Sequence, residues 1–196
     1  QNTGMDVIDA TVLPQDYAIT PGAGFDGVIM DSDTQVTFRA GDGIDRIELP
    51  ANVGDARIVL DDLTSADVVV RVTRIDGDDL TLSFPETGDQ IILVGARAAT
   101  QLPVIAFANG IEWGRAELFA AVIDAQQTAG DDVIFGTVVS DTIEGGTGND
   151  SLVGGDGNDT LNGNSGSDQI VGDDENVVLT IDLSDAASAG STFEAL

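Results

Sequence analysis

Residues 127–171 read QTAGDDVIF GTVVSDTIE GGTGNDSLV GGDGNDTLN GNSGSDQIV when they are written in blocks of nine. Aspartate occupies the sixth position of all five blocks, and an aliphatic residue occupies the eighth. The aspartates are Asp132, Asp141, Asp150, Asp159 and Asp168, and the aliphatic residues are Ile134, Ile143, Leu152, Leu161 and Ile170. Chance does not place five aspartates in one register, so this segment is a repeat, and repeats predict structural units that stack.

The blocks resemble the calcium-binding nonapeptide G-G-x-G-x-D-x-U-x of repeats-in-toxin (RTX) proteins. Residues 145–153 and 154–162 match at every defined position. The pattern is broken by Val138 and Val139 in the second block and by Asn164 in the fifth. The resemblance implies an all-β fold, a right-handed parallel β-roll (β-solenoid) in which two nonapeptides form one turn. Glycine-rich loops that lie 18 residues apart then stack on the same side.

Such stacked loops suit calcium, which takes six to eight oxygen ligands from carboxylates and carbonyls, whereas magnesium demands a smaller octahedron. The spacing predicts three Ca²⁺ sites, which pair Asp132 with Asp150, Asp150 with Asp168, and Asp141 with Asp159. Glycine permits the backbone angles that aim several carbonyls at one point. The candidate metal ligands are the five aspartates and the loop residues Gly145, Gly146, Thr147, Gly148, Gly154, Gly155, Asp156, Gly157, Gly163, Asn164, Ser165 and Gly166.

The charge of the chain restricts its partners. There are 35 acidic residues against seven basic ones, all of them arginine, and the net charge is −28. Nucleic acids and anionic membrane surfaces are excluded as partners because they carry the same sign. Histidine and cysteine are absent, which removes the commonest general base and the thiolate ligands, so we expect no enzymatic activity.

The repeat segment has a thin core and much negative charge. From Ala116 onward there are 16 acidic residues and no basic one. A few buried aliphatic side chains, worth roughly 1.5–3 kcal/mol each, do not offset backbone ordering of about 1–2 kcal/mol per residue. Metal binding must supply much of the folding free energy. We therefore expect a segment that stays unfolded in the cytosol and folds outside the cell, as resemblance to type I secreted RTX proteins implies.

The repeat pattern also occurs upstream in a degenerate form. The motif G-x-D-x-U recurs around Asp6, Asp26 and Asp45, at spacings of 20 and 19 residues. These motifs indicate degenerate coils of the same kind, and the alternative is ordinary turn chemistry of aspartate and glycine.

A second resemblance covers residues 66–120. The segments DDLTLSF at 78–84, TGDQI at 87–91 and IAFANGIEW at 105–113 are similar to the haemolysin-type calcium-binding-related domain that accompanies such repeats. Asn109 stands where that family usually has aspartate.

Short β-branched segments predict strands, and one amphipathic segment predicts a helix at 115–127. The strands are expected at 36–38, 44–49, 57–60, 68–75, 80–84 and 90–94. We expect a β-rich domain with degenerate coils at 1–126, and the calcium-binding roll at 127–182. Its last part, around Val177, Val178, Leu179 and Ile181, would cap the roll, and residues 183–196 would form a tail or linker.

These features predict a non-catalytic calcium-binding module of a larger secreted bacterial protein, located outside the cell. Its partners would be calcium ions and other domains of the same chain. The alternative is a calcium-dependent carbohydrate-binding or adhesion module that contacts glycans or a cell surface. Tyr17 and Trp113 would then stack on sugars, although single aromatic residues more often serve as packing anchors. The acidic pairs 61–62, 78–79 and 131–132 are weak candidates for glycosidase carboxylates.

Overall fold

The computed structural model describes residues 4–13, 18–49, 53–73, 78–172 and 192–195. The chain divides into two units, Gln1–Leu118 and Phe119–Leu196. Within the described residues, one α-helix, α1 (Arg115–Asp124), accompanies many short strands. The strands wind through about eight solenoid turns, which confirms the predicted parallel β-roll.

The first unit contains eleven of the described strands. In chain order they are β1 (Val7–Asp9), β2 (Ala18–Ile19), β3 (Gly27–Ile29), β4 (Gln35–Phe38), β5 (Ile44–Glu48), β6 (Arg57–Leu60), β7 (Val69–Thr73), β8 (Asp79–Phe84), β9 (Asp89–Val94), β10 (Val104–Phe107) and β11 (Glu112–Trp113). A 3₁₀ helix, Ala10–Val12, follows β1.

Successive strands of this unit alternate between two sheets. Strands β1, β3, β5 and β9 pair in parallel in one sheet, and β2, β4, β6 and β10 pair in parallel in the other. This is the winding of a solenoid, so the degenerate coils predicted around Asp6, Asp26 and Asp45 are present. A hairpin of β7 and β8 is inserted before β9, and β8 pairs with β9 antiparallel.

The predicted strands agree with the observed ones where both are described. Strands β4, β5, β6, β8 and β9 lie within one residue of the predicted ends, and β7 lies inside the predicted segment 68–75. Period-two alternation buries Leu80, Leu82 and Phe84 along β8. The inward side chains of the two sheets form the core, in which Ile47 and Ile58 are fully buried.

The second unit is a roll of three-residue strands. They are β12 (Val133–Phe135), β13 (Thr142–Glu144), β14 (Ser151–Val153), β15 (Thr160–Asn162) and the four-residue β16 (Gln169–Gly172), followed by β17 (Thr192–Ala195). Strands β12, β14, β16 and β17 form one parallel sheet, and β13 and β15 form another. Each strand from β12 to β15 buries only its middle residue. The core of this unit contains Ile123, Ile134, Ile143, Leu152, Leu161 and Ile170.

Helix α1 is shorter than the predicted 115–127. Its last residues close into a tighter turn, in which the N–H groups of Gln126 and Gln127 bond carbonyls only three residues back. The division between the two units falls inside this helix, after Leu118, eight residues before the predicted boundary. No helix among the described residues has the length and apolar character needed to span a bilayer.

The end of the chain differs from the expected tail. Strand β17 pairs in parallel with β16, with Ile170 opposite Phe193. A segment without the nonapeptide pattern therefore takes the next strand position in the sheet. The expected cap residues Val177, Val178, Leu179 and Ile181 lie outside the described residues.

Strand β17 should contribute to the stability of the roll, because it satisfies the backbone groups along the edge of β16. Alternate N–H groups of an edge strand face its neighbour, so one of the variants Phe193→Pro and Glu194→Pro removes a ladder bond. We expect that variant to melt at a lower temperature in saturating calcium than the alanine variant of the same position. If both proline variants melt like their alanine partners, the pairing of β17 is dispensable.

Candidate metal centre

The aspartates of the repeat are joined by hydrogen bonds that run from turn to turn. Oδ1 of Asp150 accepts from the backbone N–H of Asp132 at 2.9 Å, and Oδ1 of Asp168 accepts from the N–H of Asp150 at 3.0 Å. On the other side, Oδ1 of Asp159 accepts from the N–H of Asp141 at 2.9 Å. The five aspartates thus form two stacks with the 18-residue spacing of the sequence, and we call this arrangement the aspartate ladder.

Burial raises the free energy that is needed to keep these carboxylates ionised. Asp150 is 2% exposed and Asp159 is fully buried. Burial raises the pKa of Asp150, and the negative charges of Asp168 and Asp132 raise it further, while the hydrogen bond from Asp132 lowers it. Burial likewise raises the pKa of Asp159, against a lowering by the bond from Asp141. The roll therefore concentrates negative charge in a poorly solvated place, and a cation would relieve that cost.

Two oxygen atoms of the ladder are left without a protein partner. Oδ2 of Asp150 and Oδ2 of Asp159 are buried and accept no hydrogen bond from any described residue. An unsatisfied buried carboxylate oxygen is costly, and a bound cation is one kind of group that satisfies it. These two aspartates belong to the two blocks that match the repeat at every position.

The loop glycines leave space beside these oxygens. A Cβ atom on Gly145 would lie 2.5 Å from Oδ2 of Asp150 and 2.8 Å from the carbonyl oxygen of Gly163. A carboxylate oxygen and a carbonyl oxygen of the next loop therefore converge on one point that only glycine keeps open. Gly154 stands in the same relation to Oδ2 of Asp159.

The loops are stacked by backbone hydrogen bonds through the remaining candidate ligands. The carbonyl oxygen of Gly146 accepts from the N–H of Ser165 at 2.9 Å, and the N–H of Gly148 donates to the carbonyl of Ser165 at 3.0 Å. Thr147 and Ser165 form a parallel bridge, and the N–H of Asp156 donates to the carbonyl of Thr137. Candidates Gly155, Gly157 and Gly166 adopt positive φ angles of 84°, 122° and 147°.

Asn164, which departs from the repeat, keeps the positive φ that Gly146 and Gly155 have at the same position of the two complete blocks. Its φ of 57° is left-handed, a conformation that asparagine tolerates better than most residues. Its side-chain amide donates to Oε2 of Glu144 at 2.7 Å, and Asn162 donates to the same carboxylate oxygen at 3.1 Å. The substitution therefore preserves the loop and adds a contact to the turn before it.

The first two loops satisfy their aspartates differently, through threonine. The N–H and the hydroxyl of Thr128 donate to Oδ2 and Oδ1 of Asp132, both at 2.6 Å. Thr137 donates its N–H to Oδ2 of Asp141 at 2.5 Å, and its hydroxyl lies 3.0 and 2.9 Å from the two carboxylate oxygens. The sequence analysis did not assign this donor role to either residue; the signal was threonine at the second position, where the complete blocks have glycine.

The donor set of the loops fits calcium. Among the described residues, no three carboxylate, histidine or cysteine side chains gather into a ready-made metal cluster. A cation at the loops would therefore depend on single carboxylate oxygens combined with backbone carbonyls. That mixture of oxygen ligands is what Ca²⁺ accepts and Zn²⁺, which prefers nitrogen and sulfur, does not.

The first unit contains hydrogen bonds of the same kind between aspartates of consecutive turns. Oδ1 of Asp26 accepts from the N–H of Asp6 at 2.7 Å, and Oδ1 of Asp45 accepts from the N–H of Asp26 at 3.0 Å. One turn further, Oδ1 and Oδ2 of Asp89 accept from the N–H groups of Gly43 and Gly41. The upstream motifs are thus consecutive coils and not isolated turns.

Residues that were candidates for sugar stacking or for glycosidase chemistry make structural contacts. The ring of Trp113 lies 4.8 Å from that of Phe107 in an edge-on packing contact. Asp61 forms an ion pair with Arg39, and Asp79 forms one with Arg46. Tyr17 lies outside the described residues.

The geometry defines the second unit as a parallel β-solenoid with calcium-type loops, and comparison with protein families agrees. Residues 135–170 match the model of the RTX calcium-binding nonapeptide repeat in four copies. These residues are thus RTX-type calcium-binding repeats, as the sequence predicted, and this repeat family binds calcium. A search of curated proteins found no match to the chain. The resemblance of residues 66–120 to a haemolysin-type related domain lies outside the matched segment and stays a prediction.

The stability of the first unit should fall as the pH rises towards neutrality, because of Asp45. Burial, followed by the charges of Asp26, Asp42 and Asp89, raises the pKa of Asp45 from 3.8 to about 7. Between these values the folded protein binds more protons than the unfolded chain, so raising the pH destabilises the fold.

Asp45→Asn should lose this pH dependence and melt at a higher temperature than the wild type above pH 7. Its amide oxygen still accepts the bond from Asp26. Thermal unfolding between pH 5 and 8 measures the difference, and the exposed Asp55→Asn is the matched control. Parallel pH curves for wild type and Asp45→Asn would contradict the assignment.

Proposed function

We propose that the second unit is a calcium-dependent folding module, whose ions are held by the loop aspartates and the backbone carbonyls around them. The observation that carries this proposal is the pair of buried, unpartnered oxygens, Oδ2 of Asp150 and Oδ2 of Asp159. Both lie in loops of a repeat whose family binds calcium. The five repeat aspartates and the glycine-rich loop residues 145–148, 154–157 and 163–166 are the proposed ligand set.

Charge explains why the fold of this unit needs the ion. The chain from Ala116 onward has 16 acidic residues and no basic one. The backbone N–H groups of the ladder satisfy only one oxygen of Asp150 and of Asp159. Calcium, when bound, supplies positive charge that neutralises the remaining carboxylate charge and draws adjacent loops together. The thin core of one inward side chain per strand does not replace that contribution.

Calcium should convert the second unit from coil to β structure. Circular dichroism in chelator is expected to gain β signal on titration with calcium and to change little with equal magnesium. We expect affinities of about 10⁻⁴ to 10⁻³ M, the range of extracellular calcium modules. Superimposable spectra in chelator and in calcium would overturn the proposal.

The two unpartnered oxygens should be needed for binding. Asp150→Asn and Asp159→Asn each remove a carboxylate charge and one candidate ligand, so calorimetry should show fewer bound ions or a calcium midpoint at least about tenfold higher. Asp124→Asn, on the exposed face of helix α1, removes the same charge outside the loops and should bind like the wild type. Equal binding by all three variants would exclude these oxygens as ligands.

We further propose that the chain belongs to a larger secreted bacterial protein and that its calcium requirement serves export. A module that is unfolded at cytosolic calcium and folded outside the cell suits a type I secretion route, which accepts unfolded chains. Folding after export would then stabilise or present neighbouring domains. Limited proteolysis at nanomolar and millimolar free calcium tests the first step, because an exported module should be degraded at the lower concentration and resist at the higher.

The proposed role is structural and not catalytic. Calcium-dependent carbohydrate binding stays the alternative hypothesis, now without a sugar-stacking role for Trp113, whose ring packs on Phe107. A glycan array probed with and without chelator separates the two functions. Calcium-dependent retention on a glycan favours adhesion, and absence of retention favours the folding module.

A further inference from the structure

The loops of the second unit fall into two kinds that differ at the second position of the repeat. Thr128 and Thr137 occupy this position in the first two blocks, and Gly146 and Gly155 occupy it in the next two. In the threonine loops, both oxygens of Asp132 and of Asp141 accept hydrogen bonds from the threonine. In the glycine loops, one oxygen of each aspartate has no partner.

The threonine contacts stabilise a buried, ionised carboxylate without a metal ion. Each threonine offers a backbone N–H and a hydroxyl to one carboxylate, and hydrogen bonds to charged groups are the stronger ones. The residues Asp132 and Asp141 are buried, with 8% and 7% of their surface exposed. Their electrostatic cost is therefore met within the loop itself.

Residues of helix α1 and the turn after it also contact the strands of the two threonine loops. Ile123 of helix α1 belongs to one buried cluster with Ile134 and Ile143. The side-chain amide of Gln126 pairs with strand β12 as a neighbouring strand would: Oε1 accepts from the N–H of Phe135 at 3.0 Å, and Nε2 donates to its carbonyl at 3.1 Å. The apolar face of the first coil is thus covered, and both backbone groups of Phe135 on the edge of β12 are bonded.

We propose that Thr128 and Thr137 take over the role of calcium in the first coil, residues 127–144, so that this coil forms without metal and templates the calcium-dependent coils that follow. The inference rests on the proposed function, because it divides the loops of one module into metal-independent and metal-dependent ones. It removes Asp132 and Asp141 from the ligand set given under the proposed function, and it departs from the three sites that the spacing predicts, since these two aspartates are here bonded by threonine instead of calcium.

The test compares valine and serine at positions 128 and 137 in the full chain. Valine matches threonine in shape and lacks the hydroxyl, whereas serine keeps it. Hydrogen exchange followed by NMR reads the amides of Thr128, Phe135 and Thr137 in chelator, together with the amides of 151–170. Calorimetry gives the number of bound calcium ions, and dichroism in saturating calcium confirms that each variant folds.

In chelator, the amides of positions 128, 135 and 137 should be protected from exchange in the wild type and in the serine variants. In the double valine variant these amides should exchange at least about tenfold faster, which is the factor expected for the loss of one hydrogen bond to a charged group. The calcium midpoint of the valine variant should rise by a similar factor, with an unchanged number of ions. Wild-type amides that exchange as fast as those of the valine variant in chelator would overturn the inference, and so would a valine variant that binds fewer ions.

Failure of the proposed function gives a different result. In that case the amides of residues 151–170 would show the same exchange with and without calcium, whatever positions 128–137 do. Protection of 151–170 only in calcium, with no protection of the first coil in chelator, would leave the folding module intact and reject the template.

Discussion

The hydrogen bond from the backbone N–H of one aspartate to the carboxylate of the aspartate one turn later is the interaction on which both units depend. It joins Asp26 to Asp45 in the first unit and Asp132 to Asp150 in the second. Each bond ties consecutive turns in register, but it brings a carboxylate into a buried position. A buried carboxylate charge is costly unless other groups compensate it.

The two units differ in the positive charge that their sequences contain, although the ion pairs of the first unit do not involve its ladder aspartates Asp26 and Asp45. All seven arginines lie at or before Arg115, and several of them pair with acidic residues there, as Arg39 does with Asp61 and Arg46 with Asp79. The first unit thus carries its own positive charge. The repeat segment has none, so its carboxylates depend on loop donors such as Thr137 or on an ion from solution.

Under the proposed function, the stability of the second unit depends on the calcium around it. Its strands β12 to β15 are three residues long with one buried side chain each, so few apolar side chains contribute to holding the turns together. If calcium binds the folded unit and not the unfolded chain, as we propose, the stability of the unit rises with the concentration of free calcium. Both ends of the sheet have protein contacts, because Gln126 bonds Phe135 on the edge of β12 and strand β17 pairs with the edge of β16.

The sequence alone determined the parts of this protein that follow a local rule. The nine-residue period specifies the inward positions of Ile134 and Leu152, the 18-residue pairing and the calcium-type loops, because side-chain direction and glycine conformation depend on neighbours in the chain. The G-x-D-x-U motifs likewise indicated the upstream coils. Tertiary structure alone decided which carboxylate oxygens have no hydrogen-bond partner and that threonines donate to Asp132 and Asp141. It also decided that the side chain of Gln126 bonds the backbone of β12 and that β17 pairs with β16. These features depend on atoms brought together from separate turns or on strand pairing without a repeat, and no local pattern encodes such distances.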